Sequence, residues 1–159
     1  GPVGRRAAAM MALEGANVSL TSRTADRARQ TCADIKTTFD VDIEPIAAAD
    51  NEARARAVED ANVVFATGAA GTELLLPEHW QGNDNIEMIA DANATPPLGI
   101  GGTEMFDRGE NRNGKIIWGA IGFGTLKLAV HRACIGKLFE SNDQLFDAVE
   151  IFALAKAMA

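Results

Sequence analysis

GPVGRRAAAMMALEGANVSLTSRT, residues 1–24, joins a glycine-bearing turn to an apolar-periodic segment, a short β-prone stretch and a Ser-Arg-Thr tripeptide. Val3, Ala7, Met10 and Met11 recur at helical intervals, and Gly15 ends the pattern where a helix favours a C-terminal glycine. Residues 17–21 read as a strand, and a second helical period runs over 24–38 through Ala28, Thr31, Cys32 and Ile35. The cycle then repeats: a strand at 41–46, a helix at 52–60, and NVVFAT at 62–67, whose near-continuous apolar core suits a strand covered on both faces. This βαβα alternation predicts an α/β domain with a doubly wound parallel sheet and helices on both faces.

Further along, ELLLPEHW predicts a short helix broken at Pro77, IEMIAD at 86–91 a strand, and KIIWGA at 115–120 the last strand. Two helices close the chain, at 123–140 and 144–158. The last carries Leu145, Val149, Phe152 and Ala153 on one stripe, which predicts packing on the sheet or on a partner and is compatible with a homo-oligomer. The 159 residues suffice for one domain.

In a dinucleotide-binding βαβ unit a G-x-G-x-x-G turn lets the backbone bend tightly and approach a pyrophosphate at the positive end of the next helix. Gly1 and Gly4, flanking Pro2 and Val3, have the spacing of the second and third glycines. The expected reading is a Rossmann-like domain from which the first glycine and the first strand are absent. A glycine turn that merely begins a helix fits the same residues. About 20 residues beyond the glycines, an NAD site places a carboxylate for the ribose, whereas an NADP site places arginine for the 2′-phosphate. Here stand Ser22, Arg23 and Thr24. That favours NADP, with NAD as second choice, and Thr24 is also placed to cap the helix. Arg27, a helical turn onward, either reinforces the phosphate site or is a solvated surface charge.

Ligands in open parallel sheets bind outside the carboxyl ends of the strands. The 67–71 turn there offers Thr67, Gly68 and Ala69 to the nicotinamide half of a cofactor. Asp91 and Asn93 stand at the next strand mouth and open a proline- and glycine-rich loop, which makes them candidates for lining a substrate cleft. Gly119 and Gly122 repeat the theme after the last strand. Ordinary βα loops are also rich in such residues. His79, Lys127 and His131 receive no catalytic role.

The net charge of −7 and the scattering of Lys and Arg argue against a nucleic-acid surface. No apolar run approaches the roughly 18 residues of a membrane span, so no membrane partner is expected. Cys32 and Cys134 lie far apart without CxxC spacing or nearby histidines, which predicts a reduced, cytoplasmic setting and no metal. No HExxH, P-loop or Ser-His-Asp pattern occurs.

On GPVG at 1–4, SRT at 22–24, ATGAAGTELL at 66–75, IADANATPPLGIGG at 89–102, GAIGFGTLKLAVHRACIGKLFES at 119–141 and FDAVEIFALAKAMA at 146–159, the chain resembles the nicotinamide-binding domain of the methylene-tetrahydromethanopterin dehydrogenases of methylotrophic bacteria. That group includes members active on methylene-tetrahydrofolate. The resemblance implies hydride transfer from a methylene-tetrahydropterin to NADP, giving the methenyl form, in one-carbon metabolism from formaldehyde. It also implies an additional N-terminal α/β domain, with the pterin held in the cleft between domains. Nitrogen lone pairs of such a substrate stabilise the developing cation, so Asp91 and Asn93 are expected to position or polarise rather than abstract a proton. A shikimate-type NADP-dependent dehydrogenase and a non-catalytic dinucleotide-binding module are the alternatives.

Overall fold

The computed structural model describes residues 1–158. Two compact units divide the chain, Gly1–Gly122 and a second unit from Phe123 onward. The first unit contains helices α1 (Pro2–Leu13), α2 (Ala25–Phe39) and α3 (Asn51–Ala57). Its strands are β1 (Ser19–Ser22), β2 (Glu44–Ala47), β3 (Val63–Ala66), β4 (Met88–Asp91), β5 (Arg108–Arg112) and β6 (Lys115–Trp118). The second unit contains α4 (Gly124–Leu138) and α5 (Ala148–Ala157), which pack on each other.

The protein is therefore mixed α/β with mostly parallel strands. β1 and β2 form a parallel pair with Ser19 opposite Glu44 and Ser22 opposite Ala47. The other four strands form a sheet in the order β3-β4-β6-β5, in which β3, β4 and β6 run parallel. The expectation of a purely parallel sheet is corrected at β5, which pairs antiparallel with β6. Asn113 and Gly114, with φ of 53° and 76°, make the two-residue turn between them, the positive-φ pair a tight hairpin requires. Gly109, at the irregularity between Arg108 and Glu110, has φ 75° and lies against the Trp118 ring.

Ala66, Leu75, Trp80, Ile86, Ile89, Ile100 and Ile117 form the core of this sheet, with Val58 and Val64 packed against it. The helix expected at ELLLPEHW is replaced by two features. Leu75 makes an isolated parallel bridge with Ile100, and only Pro77–His79 turn, as one 3₁₀ turn. Proline at 77 has no N–H to donate and fixes its own φ, so the chain turns there without extending a helix. The turn delivers Trp80 fully buried, with Nε1 donating to the Gly101 carbonyl at 2.9 Å. Trp80→Phe keeps most of the apolar area but leaves that carbonyl unpaired. The expected cost is about 1 kcal/mol, read from the urea unfolding midpoint.

Helix α2 begins as expected, with the Thr24 hydroxyl accepting from the Arg27 amide at 3.3 Å. Helix α1 touches α2 and the turn beyond β3. Arg5 pairs with Asp34 of α2 at 3.0 Å, and a Cβ on Gly4 would come within 2.5 Å of the Thr67 hydroxyl beyond β3. In the second unit the last helix starts at Ala148 rather than 144, because Asp147 and Glu150 form a capping box, with the Asp147 amide donating to Glu150 at 3.0 Å. Leu145 thus precedes the helix and is 78% exposed, so the expected stripe loses its first member.

Among the described residues no helix is long and apolar enough to cross a membrane. None of their His, Cys, Asp and Glu side chains cluster as a metal site would need.

Candidate functional site

Parallel pairing puts the C-terminal ends of β3, β4 and β6 on one edge. The row starts at the α1 N-terminus. Its N-cap, Gly1, supplies no side-chain cap, and the first turn holds no acidic residue. The amides of Val3 and Gly4 therefore face the positive end of the helix without an intrahelical acceptor. Gly4 is where α1 meets the next turn, because any side chain there would strike Thr67.

The 67–71 turn continues the row. Gly68 is held close to Leu74, and Gly71, at φ 69°, lies opposite the Pro96 carbonyl, which a Cβ would approach at 3.7 Å. That carbonyl belongs to the loop after β4. The structure thus brings Gly4 against Thr67, and the far end of the same turn, at Gly71, towards the loop that carries Asn93.

Ser22, Arg23 and Thr24 sit at the end of β1, beside the end of β2. Arg23 and Arg27 are exposed, and neither side chain has an acidic partner among the described residues. Neighbouring arginines are committed: Arg29 to Asp26 at 2.5 Å, and Arg54 to Asn51 at 2.9 Å and the Ala49 carbonyl at 3.1 Å. Thr24 spends one lone pair on the α2 cap and keeps its hydroxyl proton to donate.

Asp91 and Asn93 are both buried, and their polar atoms are engaged inside their own loop. The Asp91 carboxylate accepts from the amides of Asn93 and Ile100, and the Asn93 carbonyl oxygen accepts from the Thr95 amide. Gly119 and Gly122 also have packing reasons of their own. Gly119 N–H donates to the Asp107 carbonyl at 2.9 Å and Gly122 N–H to that of Met105 at 3.2 Å, and a Cβ on either would strike the 104–108 backbone. The segment they press against is held by a nearly buried ion pair, Asp107 with Arg112 at 2.5 Å, with Asp107 also accepting from the Glu104 amide at 2.7 Å. Nothing in the pattern reading pointed to this brace. Its one sequence signal is the Asn113-Gly114 hairpin that returns Arg112 beside residue 107.

Cys32 lies in the α2 interface, and burial pushes its thiol above the ordinary thiol range. The folded state therefore holds the proton more tightly. This contribution to stability is complete below the unfolded thiol's pKa and is lost as pH rises through the folded value. The urea midpoint is expected to fall as pH rises past the unfolded thiol's value of about 8.5, and less steeply in Cys32→Ala.

The fold and the row of turns define a mixed α/β protein with glycine-rich, small-residue surfaces at its parallel strand ends. No family model matches the chain. It is homologous to the bifunctional protein MdtA of Methylorubrum extorquens, at 50% identity over 146 residues, covering 92% of this chain and 51% of that protein. It is also 28% identical over 163 residues to the NAD(P)-dependent methylenetetrahydromethanopterin dehydrogenase of the same organism, covering 100% of this chain and 55% of that enzyme. The chain spans about half the length of the curated relatives it matches.

Proposed function

We propose that this chain is the NADP-binding Rossmann-like portion of a dehydrogenase that oxidises a methylene-tetrahydropterin. The topology carries the reading. A Rossmann sheet has the order 3-2-1-4-5-6. The order β2-β1, then β3-β4-β6, matches it with one position open between β1 and β3, and among the described residues neither strand has a neighbour on that side. Helix α1 contacts α2 through Arg5 and the turn beyond β3 through Gly4, as a helix lying between the two sheet regions would. The unpartnered Arg23 at the end of β1 supports NADP over NAD, and the second relative's NAD(P) dependence accords with a nicotinamide cofactor.

The residues present fit the cofactor. The uncapped α1 N-terminus with Gly1, Pro2, Val3 and Gly4 would hold the pyrophosphate, and Ser22, Arg23 and Thr24 the 2′-phosphate. Thr67, Gly68 and Ala69 offer a low wall on which the nicotinamide half can lie. When bound, NADP supplies the hydride acceptor. The chain's own residues contribute orientation, holding the acceptor face fixed against the pterin so that the reacting carbons meet within attack distance. Asp91 and Asn93 serve by shaping the strand-mouth loop, and Gly119 and Gly122 by letting the 104–108 segment pack closely against the turn that leaves β6.

The test uses the full-length protein, NADP, and three substrates in parallel: methylene-tetrahydromethanopterin, methylene-tetrahydrofolate and shikimate. NADPH absorbance is expected to rise with one or both pterins. Turnover of shikimate alone, or of none of the three, refutes the reading.

A further inference from the structure

Asp91 is 1% exposed, and neither carboxylate oxygen is left for a ligand. Oδ1 accepts from the Asn93 amide at 2.9 Å and Oδ2 from the Ile100 amide at 2.9 Å. Those amides stand at the two ends of the strand-mouth loop, so one side chain ties its start to its finish. The finish is anchored again in the core. Ile100 is 1% exposed and bridges Leu75, and the amides of Leu74 and Leu75 both donate to the Gly99 carbonyl, at 2.8 and 3.1 Å. Gly99 is tightly enclosed, since a Cβ would lie 3.0 Å from Asp91 Oδ1 and 3.3 Å from Ala66 Cβ and would press on both.

We propose that Asp91 is a positioning residue that closes the 92–100 loop on itself and, through Gly99 and Ile100, on the Leu74–Leu75 segment that follows the 67–71 turn, so that the loop forms a preformed wall at the nicotinamide end of the cofactor site. This rests on the NADP reading above. A carboxylate suits the task because it accepts two N–H groups at once and cannot compete as a donor. A wall held this way needs no ordering when ligand arrives, which is how a preorganised site conserves binding energy.

The test compares wild type with Asp91→Asn and, as a variant that disturbs the same contact without removing the carboxylate, Gly99→Ala, each in the full-length protein. Asp91→Asn turns one acceptor into an NH2 group facing a backbone N–H. Hydrogen exchange of residues 92–100 is expected to quicken about tenfold in both variants, while α2 stays as protected as in wild type. The dissociation constant for NADP is expected to rise about tenfold, while that for adenosine 2′,5′-bisphosphate, which lacks the nicotinamide, stays unchanged.

Each remaining outcome overturns the proposal. Unchanged exchange at 92–100 removes the brace. Equal losses for NADP and the bisphosphate, or a loss for neither, leave Asp91 a general stabiliser with no directed role. A wild type that binds neither nucleotide refutes the cofactor reading itself, and the exchange data then report on the brace alone.

Discussion

Arg23→Asp in the full-length protein is expected to raise the dissociation constant for NADP about a hundredfold and that for NAD by less than about threefold. The guanidinium stands at the tip of β1 with no acidic neighbour to neutralise it among the described residues. It can therefore give both arms of its fork to a 2′-phosphate. Two charge-assisted hydrogen bonds at about 1.5 kcal/mol or more each account for the hundredfold, before the repulsion of a new carboxylate is counted. NAD presents a hydroxyl at the same place, which a carboxylate accepts from readily. Stability should hardly move, because the wild-type side chain is exposed. Titrating both cofactors against both proteins decides the matter, and parallel losses would refute the role given to Arg23.

Gly122→Ala is expected to cost about 3 kcal/mol of stability, the largest effect of any single methyl group added here. A Cβ at 122 would overlap the Asp107 carbonyl oxygen, sit 2.6 Å from its carbon and 3.3 Å from Arg108 Cα. These are backbone atoms, so no rotamer change relieves the clash. The 104–108 segment has to move instead, against the ion pair of buried Asp107 with half-buried Arg112 that holds it. Gly124→Ala is the control: nothing lies within 4 Å of its Cβ position, and the change should stay within about 1 kcal/mol. Urea midpoints for the three proteins measure the difference. A Gly122→Ala midpoint equal to wild type would mean that the segment yields easily.

Much of this architecture is legible in the residues. α1 and α2 follow from their apolar spacing and β3, β4 and β6 from short apolar runs, and these elements and α4 are placed to within two or three residues at each end. Strand β5 is not legible in that way. RGENR has no apolar face to alternate, because it is an edge strand whose pairing is set by the hairpin, and its trace is the Asn113-Gly114 turn. The α5 start was readable in principle from Asp147 and Glu150 at capping-box spacing, a signal that the apolar stripe beginning at Leu145 overrode.

The candidate site divides similarly. Ser-Arg-Thr and the glycine turn carry their proposed chemistry in side-chain type and spacing, which a sequence records directly. Asp91 and Asn93 are different. Their type announces polarity at a strand mouth, but their partners are backbone amides two to nine residues away, and no pattern of side chains records that. Glycine recurrence has the same ambiguity: Gly119 and Gly122 look identical in sequence whether a ligand or a crossing segment needs the space.

Both tryptophans of the chain lie in the first unit, Trp80 fully buried in the core and Trp118 at the end of β6. Indole emission therefore originates in the first unit alone, whereas far-ultraviolet ellipticity also weighs α4 and α5. A denaturation curve followed by both signals has a built-in optical partition. Coincident transitions mean that the two units unfold as one cooperative body, and separated transitions assign the emission change to residues 1–122.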